Sequence, residues 1–212
     1  MSDISVIIRC RNEERWIGHA IQSVVDHFKY PQVIIVDDHS NDDSRRIIKT
    51  FDYLNPKILE IEDYSPGKSL NMGVKHCDNQ AVLILSAHCV LKEINYEKII
   101  NKLKENVAVW GKQIPIWNGK KIKKRYMWSN FKDKDVKNYF CKDEQRPFLH
   151  NALCFYNKEF ILNNPFREDL SGKEDRYWAI DRIKEGHSIY YDASLVADHH
   201  YTTNGATWKG TG

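Results

Sequence analysis

Three short clusters in this sequence carry the residue types that acid–base, ligand or metal chemistry needs. Asp37-Asp38 follows the apolar run 33–36. Two adjacent carboxylates repel each other, so stability alone does not favour them. At the end of a buried strand, such a carboxylate can accept hydrogen bonds from a ribose or a base edge. The plainer use is for one of them to cap the next helix. Glu174-Asp175 follows Ser171-Gly172 and opens a segment of helical character. Acidic residues in a first helical turn complement the helix dipole. A carboxylate there also serves as a general base if an acceptor hydroxyl comes within hydrogen-bond reach. His199-His200, between Asp198 and Tyr201, closes a strand-like run. Paired imidazoles at such a place bind a metal or a phosphate, or one packs while the other is solvated.

The elements that must place these groups follow from periodicity. Residues 4–8 are a β-branched run that reads as a strand and ends in the polar loop Arg9-Cys10-Arg11-Asn12-Glu13-Glu14. Trp16, Ile17, Ala20, Ile21, Val24, Val25 and Phe28 recur at helical spacing, and Pro31 closes that unit. Residues 33–36 are apolar throughout, as a parallel strand buried on both faces requires. Ser40 with Asp43 reads as a helix start capped by Ser40, the helix running toward Phe51. Strands over 57–61 and 81–85, a helix over 69–76, a helix over 96–106 and a strand over 107–110 follow. Ser86-Ala87-His88-Cys89 lies at the end of the strand over 81–85.

This alternation predicts an α/β fold with a mostly parallel sheet and helices on both faces. Ligands bind beyond the carboxyl ends of such strands, so the loops at Arg9, Asp37 and Ser86 should converge. The second half is less regular. Residues 117–147 are basic and aromatic, with Lys120, Lys121, Lys123, Lys124 and Arg125 beside Tyr126 and Trp128. A long excursion of this kind inside a compact domain is more often functional than structural. Within it, the stretch from Lys120 to Trp128 is expected to handle the acceptor, its basic residues gripping a phosphate or lipid-linked carrier while a ring stacks on sugar; the plainer reading is a solvated surface loop. A helix over 174–185 and short strands over 188–191 and 195–197 complete the pattern.

Composition narrows the class. A chain of 212 residues suits one well-buried domain, and a net charge of +3 sets up no strong field for nucleic acid. The start lacks the pattern of a secretory signal, and no stretch approaches the roughly 20 apolar residues that span a bilayer. The expected place is the cytosol, with contact at the inner face of the membrane left open. Five cysteines without C-x-x-C spacing argue against a disulfide framework or a zinc ribbon.

From residue 4 to about Tyr201, the order of motifs resembles the family-two inverting glycosyltransferases of the GT-A fold. Ile4-Ser5-Val6-Ile7-Ile8-Arg9-Cys10-Arg11-Asn12-Glu13 resembles their first strand and loop, and Val33-Ile34-Ile35-Val36-Asp37-Asp38-His39-Ser40 their second strand with its Asp-Asp-x-Ser ending. Gly67-Lys68-Ser69-Leu70-Asn71-Met72-Gly73 resembles the segment before the fourth strand, and Glu174-Asp175 the Glu-Asp motif. The resemblance implies a GT-A-like, Rossmann-related domain over 1–212. Residues 1–110 would bind the nucleotide sugar, and 111–212 the acceptor and catalytic base. It implies transfer of a sugar to a sugar or lipid-linked glycan acceptor, in bacterial surface polysaccharide or glycoconjugate synthesis. Arg9, Asn12 and Glu13 would line the nucleotide pocket with Asp37, and Asp38 would contact uracil or ribose. Lys68 would lie near the nucleotide. Asp175, beside Glu174, would deprotonate the acceptor, and His199 or His200 would approach the diphosphate or its metal.

One departure bears on the cofactor. The family usually has Asp-x-Asp after the fourth strand, its last carboxylate holding a divalent metal, where this chain has Ser86-Ala87-His88. Magnesium prefers oxygen ligands, whereas imidazole suits softer metals better. His88 with His199 or His200 would then hold manganese, or a protonated His88 would meet the diphosphate without metal; both stand open, as does an unusual donor or a weakened activity. Two rival functions remain: a nucleotidyltransferase, opposed by the absence of glycine from Arg9-Cys10-Arg11-Asn12-Glu13-Glu14, and a non-catalytic nucleotide-sugar-binding module, opposed by Glu174-Asp175.

Overall fold

The computed structural model describes residues 4–122, 126–203, 205 and 208. The chain runs β1 (Ile4–Cys10), α1 (Ile17–His27), β2 (Gln32–Asp37), α2 (Ser44–Lys49), β3 (Lys57–Glu60), α3 (Pro66–Lys75), β4 (Ala81–Ser86), β5 (Cys89–Glu93), α4 (Tyr96–Leu103) and β6 (Ala108–Trp117). The short strands β7 (Lys120–Lys121), β8 (Val136–Lys137), β9 (Phe140–Cys141) and β10 (Arg146–Pro147) follow. Then come β11 (Leu153–Asn157), α5 (Lys158–Asn163), α6 (Glu174–Lys184) and β12 (Ile189–His200).

The central sheet is ordered β3-β2-β1-β4-β11-β6-β12-β5. Strands β3, β2, β1 and β4 are mutually parallel, and β6 and β12 are parallel to each other. β11 runs antiparallel to both β4 and β6, and β5 antiparallel to β12. Along β1, Ile7 joins a core layer with Leu70 and Val74 of α3, Ile161 of α5 and Trp178 of α6. Its neighbours Val6 and Ile8 join the opposite layer with Ile17, Ala20, Ile21 and Val24 of α1, Ile48 of α2 and Ile99 of α4. The period-two alternation of a strand thus feeds two apolar layers, and helices cover both faces as expected.

Register sets the site. Arg9 pairs with Ser86 on one side, and Cys10 with Asp37 on the other, so three loops leave the sheet at one level. Gly111 lets β6 lie close to its neighbours, since a Cβ there would fall 2.5 Å from Leu195 Cγ and 2.6 Å from Leu153 Cδ2.

Four expectations change. Ser40 does not cap α2: its hydroxyl donates to Asp37 Oδ1 at 2.6 Å, and the helix starts only at Ser44. The two short strands expected over 188–191 and 195–197 are one strand, β12, with its register broken between Asp192 and Val196. Lys98 Nζ donates to Asp192 Oδ1 at 2.7 Å and to Ser194 Oγ at 3.0 Å, which holds that bulge and explains why its sequence reads as two pieces. Trp128 is 7% exposed and packs on Phe131 and Trp208, so it is core rather than a stacking surface for sugar. Lys120 and Lys121 are exposed on β7, while Lys123, Lys124 and Arg125 lie outside the described residues. The fourth is β5, which sequence reading left out because Cys89–Glu93 is short and half polar. All five cysteines are free and buried, and among the described residues no helix is long and apolar enough to cross a membrane.

Candidate active site

The loops after β1 and β2 are stapled into one rim. Asn12 N–H donates to Ser40 Oγ at 3.0 Å, Asn41 N–H to Asn12 Oδ1 at 2.8 Å, and Glu13 N–H to Ser44 Oγ at 2.8 Å. Asn12 and His39 hold positive φ of 51° and 49°, which a rim tied at so many points can enforce. Asn12 ties the two loops through its backbone N–H and its side-chain amide.

The Asp37-Asp38 doublet divides its work. Asp37 is fully buried, accepts from Ser40 N–H and Oγ–H, and pairs with Arg45 at 2.7 Å. Asp38 lies at the rim, where Arg11, itself 67% exposed, donates to Asp38 Oδ2 at 2.7 Å. Lys68 Nζ donates to the Glu62 carbonyl at 2.8 Å and so closes the loop before α3.

The Glu174-Asp175 doublet comes to the same end of the sheet. Arg9 reaches Glu174 Oε1 at 3.2 Å, linking the first strand to the first turn of α6. Burial pushes the Glu174 carboxyl up, against the pull of Arg9. Asp175 is raised as well, chiefly by burial, and is held by the N–H groups of Asn151 at 3.2 Å and Arg176 at 2.8 Å. Asn151 is fixed in turn by the Tyr156 hydroxyl, which donates to its Oδ1 at 2.5 Å. A carboxyl with a raised pKa, oriented by two backbone donors, has the make-up of a general base.

Between the doublets runs a buried chain of side chains. Glu13 Oε1 lies 3.1 Å from His88 Nδ1, and His88 Nε2 lies 3.1 Å from His199 Nε2. His199 Nδ1 is 2.7 Å from Gln113 Oε1, and Gln113 Nε2 is 3.0 Å from His150 Nδ1. The direction of this chain is fixed at one end by Ala152 N–H, which can only donate and points at His150 Nδ1 at 3.4 Å. Gln113 therefore donates to His150 and accepts from His199 Nδ1–H, leaving His199 Nε2 with its lone pair. Burial holds His199 far below the usual imidazole range, with His88 adding to the effect, so that nitrogen stays unprotonated. At the other end the Glu13 carboxylate accepts from His88 Nδ1–H. The lone pairs of two neutral rings would then face each other across 3.1 Å, which is repulsive unless a proton or a cation lies between them.

His200 stands apart. Its ring stacks on Trp16 at 3.9 Å, and Trp16 Nε1 donates to the Tyr201 carbonyl. Ser86 ends β4 beside Arg9, its N–H donating to the Ala152 carbonyl at 3.1 Å. Among the described residues no three His, Cys, Asp or Glu side chains converge on one metal position. Of the expected site residues, the structure gathers Arg9, Glu174 and Asp175 on one side and Glu13, His88 and His199 on the other. The His200 ring lies against Trp16 instead. Gln113, His150 and Asn151 are additional members, and nothing in their local sequence distinguishes them from surface polar residues.

Comparison with known proteins identifies the fold and the family. The 4,4'-diaponeurosporenoate glycosyltransferase of Staphylococcus aureus (strain USA300) is 26% identical over 106 residues, covering 47% of this chain and 28% of the relative. The chain thus spans little more than a quarter of the length of that relative. In solved structures, S. aureus TarS 1-349 in complex with UDP-GlcNAc superposes with a TM-score of 0.71 at 19% identity, covering 98% of this chain and 61% of that one. GalNAc-T7 with UDP, GalNAc and Mn2+ superposes with a TM-score of 0.72 at 14% identity, covering 95% and 44%. These structures share the GT-A fold. The sequence model of glycosyl transferase family 2 matches residues 5–162, most of the chain, and the chain belongs to that family.

Proposed function

We propose that this chain transfers a sugar, with inversion, from a nucleoside-diphosphate sugar to an acceptor hydroxyl, in building a surface glycan. The observation that carries this reading is the meeting, at one end of the sheet, of a rim carboxylate at Asp38, a buried imidazole pair and a base-like Asp175. The family match and the fold shared with TarS in complex with UDP-GlcNAc support a uridine nucleotide as donor. Asp38 accepts from ribose hydroxyls or a base N–H, and the rim it belongs to is tied by hydrogen bonds between the β1 and β2 loops. Asp175 takes the proton of the attacking hydroxyl as the new glycosidic bond forms and the bond to the diphosphate breaks. The acceptor, a sugar or lipid-linked glycan, sits against the 111–212 half, where the exposed Lys120 and Lys121 suit a phosphate-bearing carrier. The protein works in the cytosol, at the inner face of the membrane when the carrier is a lipid.

The imidazole pair fits a divalent transition metal. Two imidazole nitrogens bound to one ion at about 2.1 Å each, in neighbouring positions, stand about 3 Å apart. The outer nitrogens of His88 and His199 are held by Glu13 and Gln113, the outer partners that metal-bound histidines use. Two nitrogen ligands favour manganese over magnesium. Such an ion would neutralise the charge that grows on the leaving diphosphate. A proton satisfies the same contact, making His88 an imidazolium between Glu13 and His199, and this is the metal-free alternative. Purified protein, a panel of nucleotide sugars, and assays of transfer and donor hydrolysis with manganese, magnesium or chelator test both. Manganese-dependent binding of UDP in calorimetry supports the ion. Full activity in chelator supports the proton, and no turnover or nucleotide binding with any donor overturns the reading.

A further inference from the structure

Three consecutive residues of α6, Glu174, Asp175 and Arg176, are each tied to a different part of the chain. Glu174 meets Arg9 of β1, and Asp175 accepts from the Asn151 N–H. The Arg176 guanidinium lies 3.1 Å from Glu144 Oε2, in the turn that joins β9 and β10. The helix needs such anchors. Its start at Lys173 holds a left-handed φ of 66° and has no side-chain cap, so the first turn is not fixed by a cap of its own.

Glu144 has a second partner. Arg146 Nε donates to the same Oε2 at 2.5 Å, and Arg146 Nη1 donates to the Pro147 carbonyl at 2.8 Å. The Arg146 guanidinium also lies over the Phe148 ring, 5.3 Å from its centre. The side chains of Arg146 and Glu144 are 11% and 14% exposed, so this bridge is sheltered from the screening that weakens surface pairs. The plainer use of the bridge is to brace the hairpin against α6. Its charge argues for more. Arginine stays protonated in proteins, so two guanidinium groups on one carboxylate leave one positive charge over.

The groups that face Asp175 make that charge count. Arg9 and Glu174 offset each other. Burial holds the His150 pKa down to about 4, so that ring is neutral. The Cys154 thiol and the Tyr156 hydroxyl of β11 are pushed up by burial, so both are neutral as well. Burial pushes the Asp175 carboxyl up; its two backbone donors, then Arg176 and Arg146, act against that. A base must be ionised to take a proton, and an opposite charge nearby favours the ionised form of a buried carboxyl.

We propose that the Glu144 bridge is a positioning device for the base: it fixes the first turn of α6, and the positive charge it holds in excess keeps the Asp175 carboxylate ionised in a buried place. The proposal rests on the reading of Asp175 as the base of the transfer reaction. Arg146 and Arg176 are positioning residues in this scheme, because they act through Asp175.

The deciding measurement is a pH titration of the Asp175 side-chain carboxyl, followed by carbon NMR of the intact chain labelled at aspartate. Asp175→Asn identifies its signal. Arg146→Met and Arg176→Met should each raise the midpoint by about one pH unit, the low end of the effect of a neighbouring opposite charge. Arg176→Lys keeps the charge and should hold the midpoint near that of the parent. Glu144→Gln removes the negative partner and should lower it. A mere brace would not give opposite signs. Midpoints that move the same way in Arg176→Met and Glu144→Gln, or not at all, overturn the proposal. Where a methionine variant does not fold, Glu144→Gln against the parent still decides the sign. The acidic limb of turnover should move with the midpoint. If the midpoints shift as stated while Asp175→Asn turns over normally, the reading of the base fails and the effect of the bridge on Asp175 stands, so the two failures are distinguishable.

Discussion

The two acidic doublets reach the same end of the sheet but are held there differently. Asp37-Asp38 is fixed by near neighbours: Ser40, Arg45 and Arg11 all come from the paired loops of β1 and β2 or the start of α2. Glu174-Asp175 is fixed from afar, by Arg9 across 165 positions and by Asn151, which Tyr156 positions in turn. In each doublet one member is tied down and its neighbour keeps capacity. Asp37 is buried and saturated while Asp38 keeps a place at the rim; Glu174 is committed to Arg9 while Asp175 is held only by backbone donors. Adjacent identical or similar residues therefore need not share a role. Which one reacts depends on what the fold brings to the other.

The sharpest way to break this comparison is to disable the member that keeps capacity. Asp175→Asn should lower kcat by about 100-fold or more with nucleotide affinity kept, the scale of a lost general base. Near-normal turnover in that variant, measured with saturating donor, would remove the distinction on the base side. The chain between the doublets comes next. Gln113→Leu frees His199 to take the other tautomer, and it should weaken manganese binding in the presence of UDP by about 10–100-fold, the usual cost of losing an outer partner of a metal ligand. Unchanged manganese affinity would instead place the pair under the metal-free alternative.

The donor doublet is separated by stability. Asp37→Ala leaves Arg45, about one third exposed, without its buried partner, and should cost about 2–3 kcal/mol, read as a drop in denaturation midpoint. Asp38→Ala faces only an exposed Arg11 and should cost under about 1 kcal/mol while weakening UDP binding about tenfold. If the affinity loss falls on Asp37 and the stability loss on Asp38, the assignment of roles is reversed.

His150 tests how firmly the base side is buried. Burial holds its pKa down to about 4, against about 6.5 in an unfolded chain. Between those values the unfolded chain binds the extra proton, so stability rises with pH across the window. It is complete above about pH 6.5 and lost on acidification toward pH 4, by up to about 3 kcal/mol. His150→Phe should flatten that part of the curve in chemical denaturation at several pH values. A slope that persists unchanged would trace the effect to another group.

Much of the fold over residues 1–110 was legible from local pattern. Buried β-branched runs mark β1, β2 and β4 because both faces of those strands are packed, and helical apolar spacing marks α1 because only one of its faces is. Polar short strands such as β5 and β7 carry no such mark, and the bulge in β12 breaks the alternation that would have joined its halves. Ser40 was misread as a cap because the same serine chemistry that caps a helix also closes an Asx-type turn on Asp37.

By itself the sequence determined the layered α/β class, the strand ends at which the candidate site residues gather and the residue types available there, since these follow from periodicity and from chemistry within a few positions. Only the tertiary structure decided that His88 faces His199 rather than His200, that Gln113 orients the pair and that Arg9 turns to Glu174. Strand pairing brings residues more than a hundred positions apart within 3.2 Å, and alternation along β12 sends His199 inward while His200 lies against Trp16. Neither register nor the direction of a hydrogen-bond chain is written in the spacing of one segment. Both emerge only when β6, β11 and β12 are laid side by side.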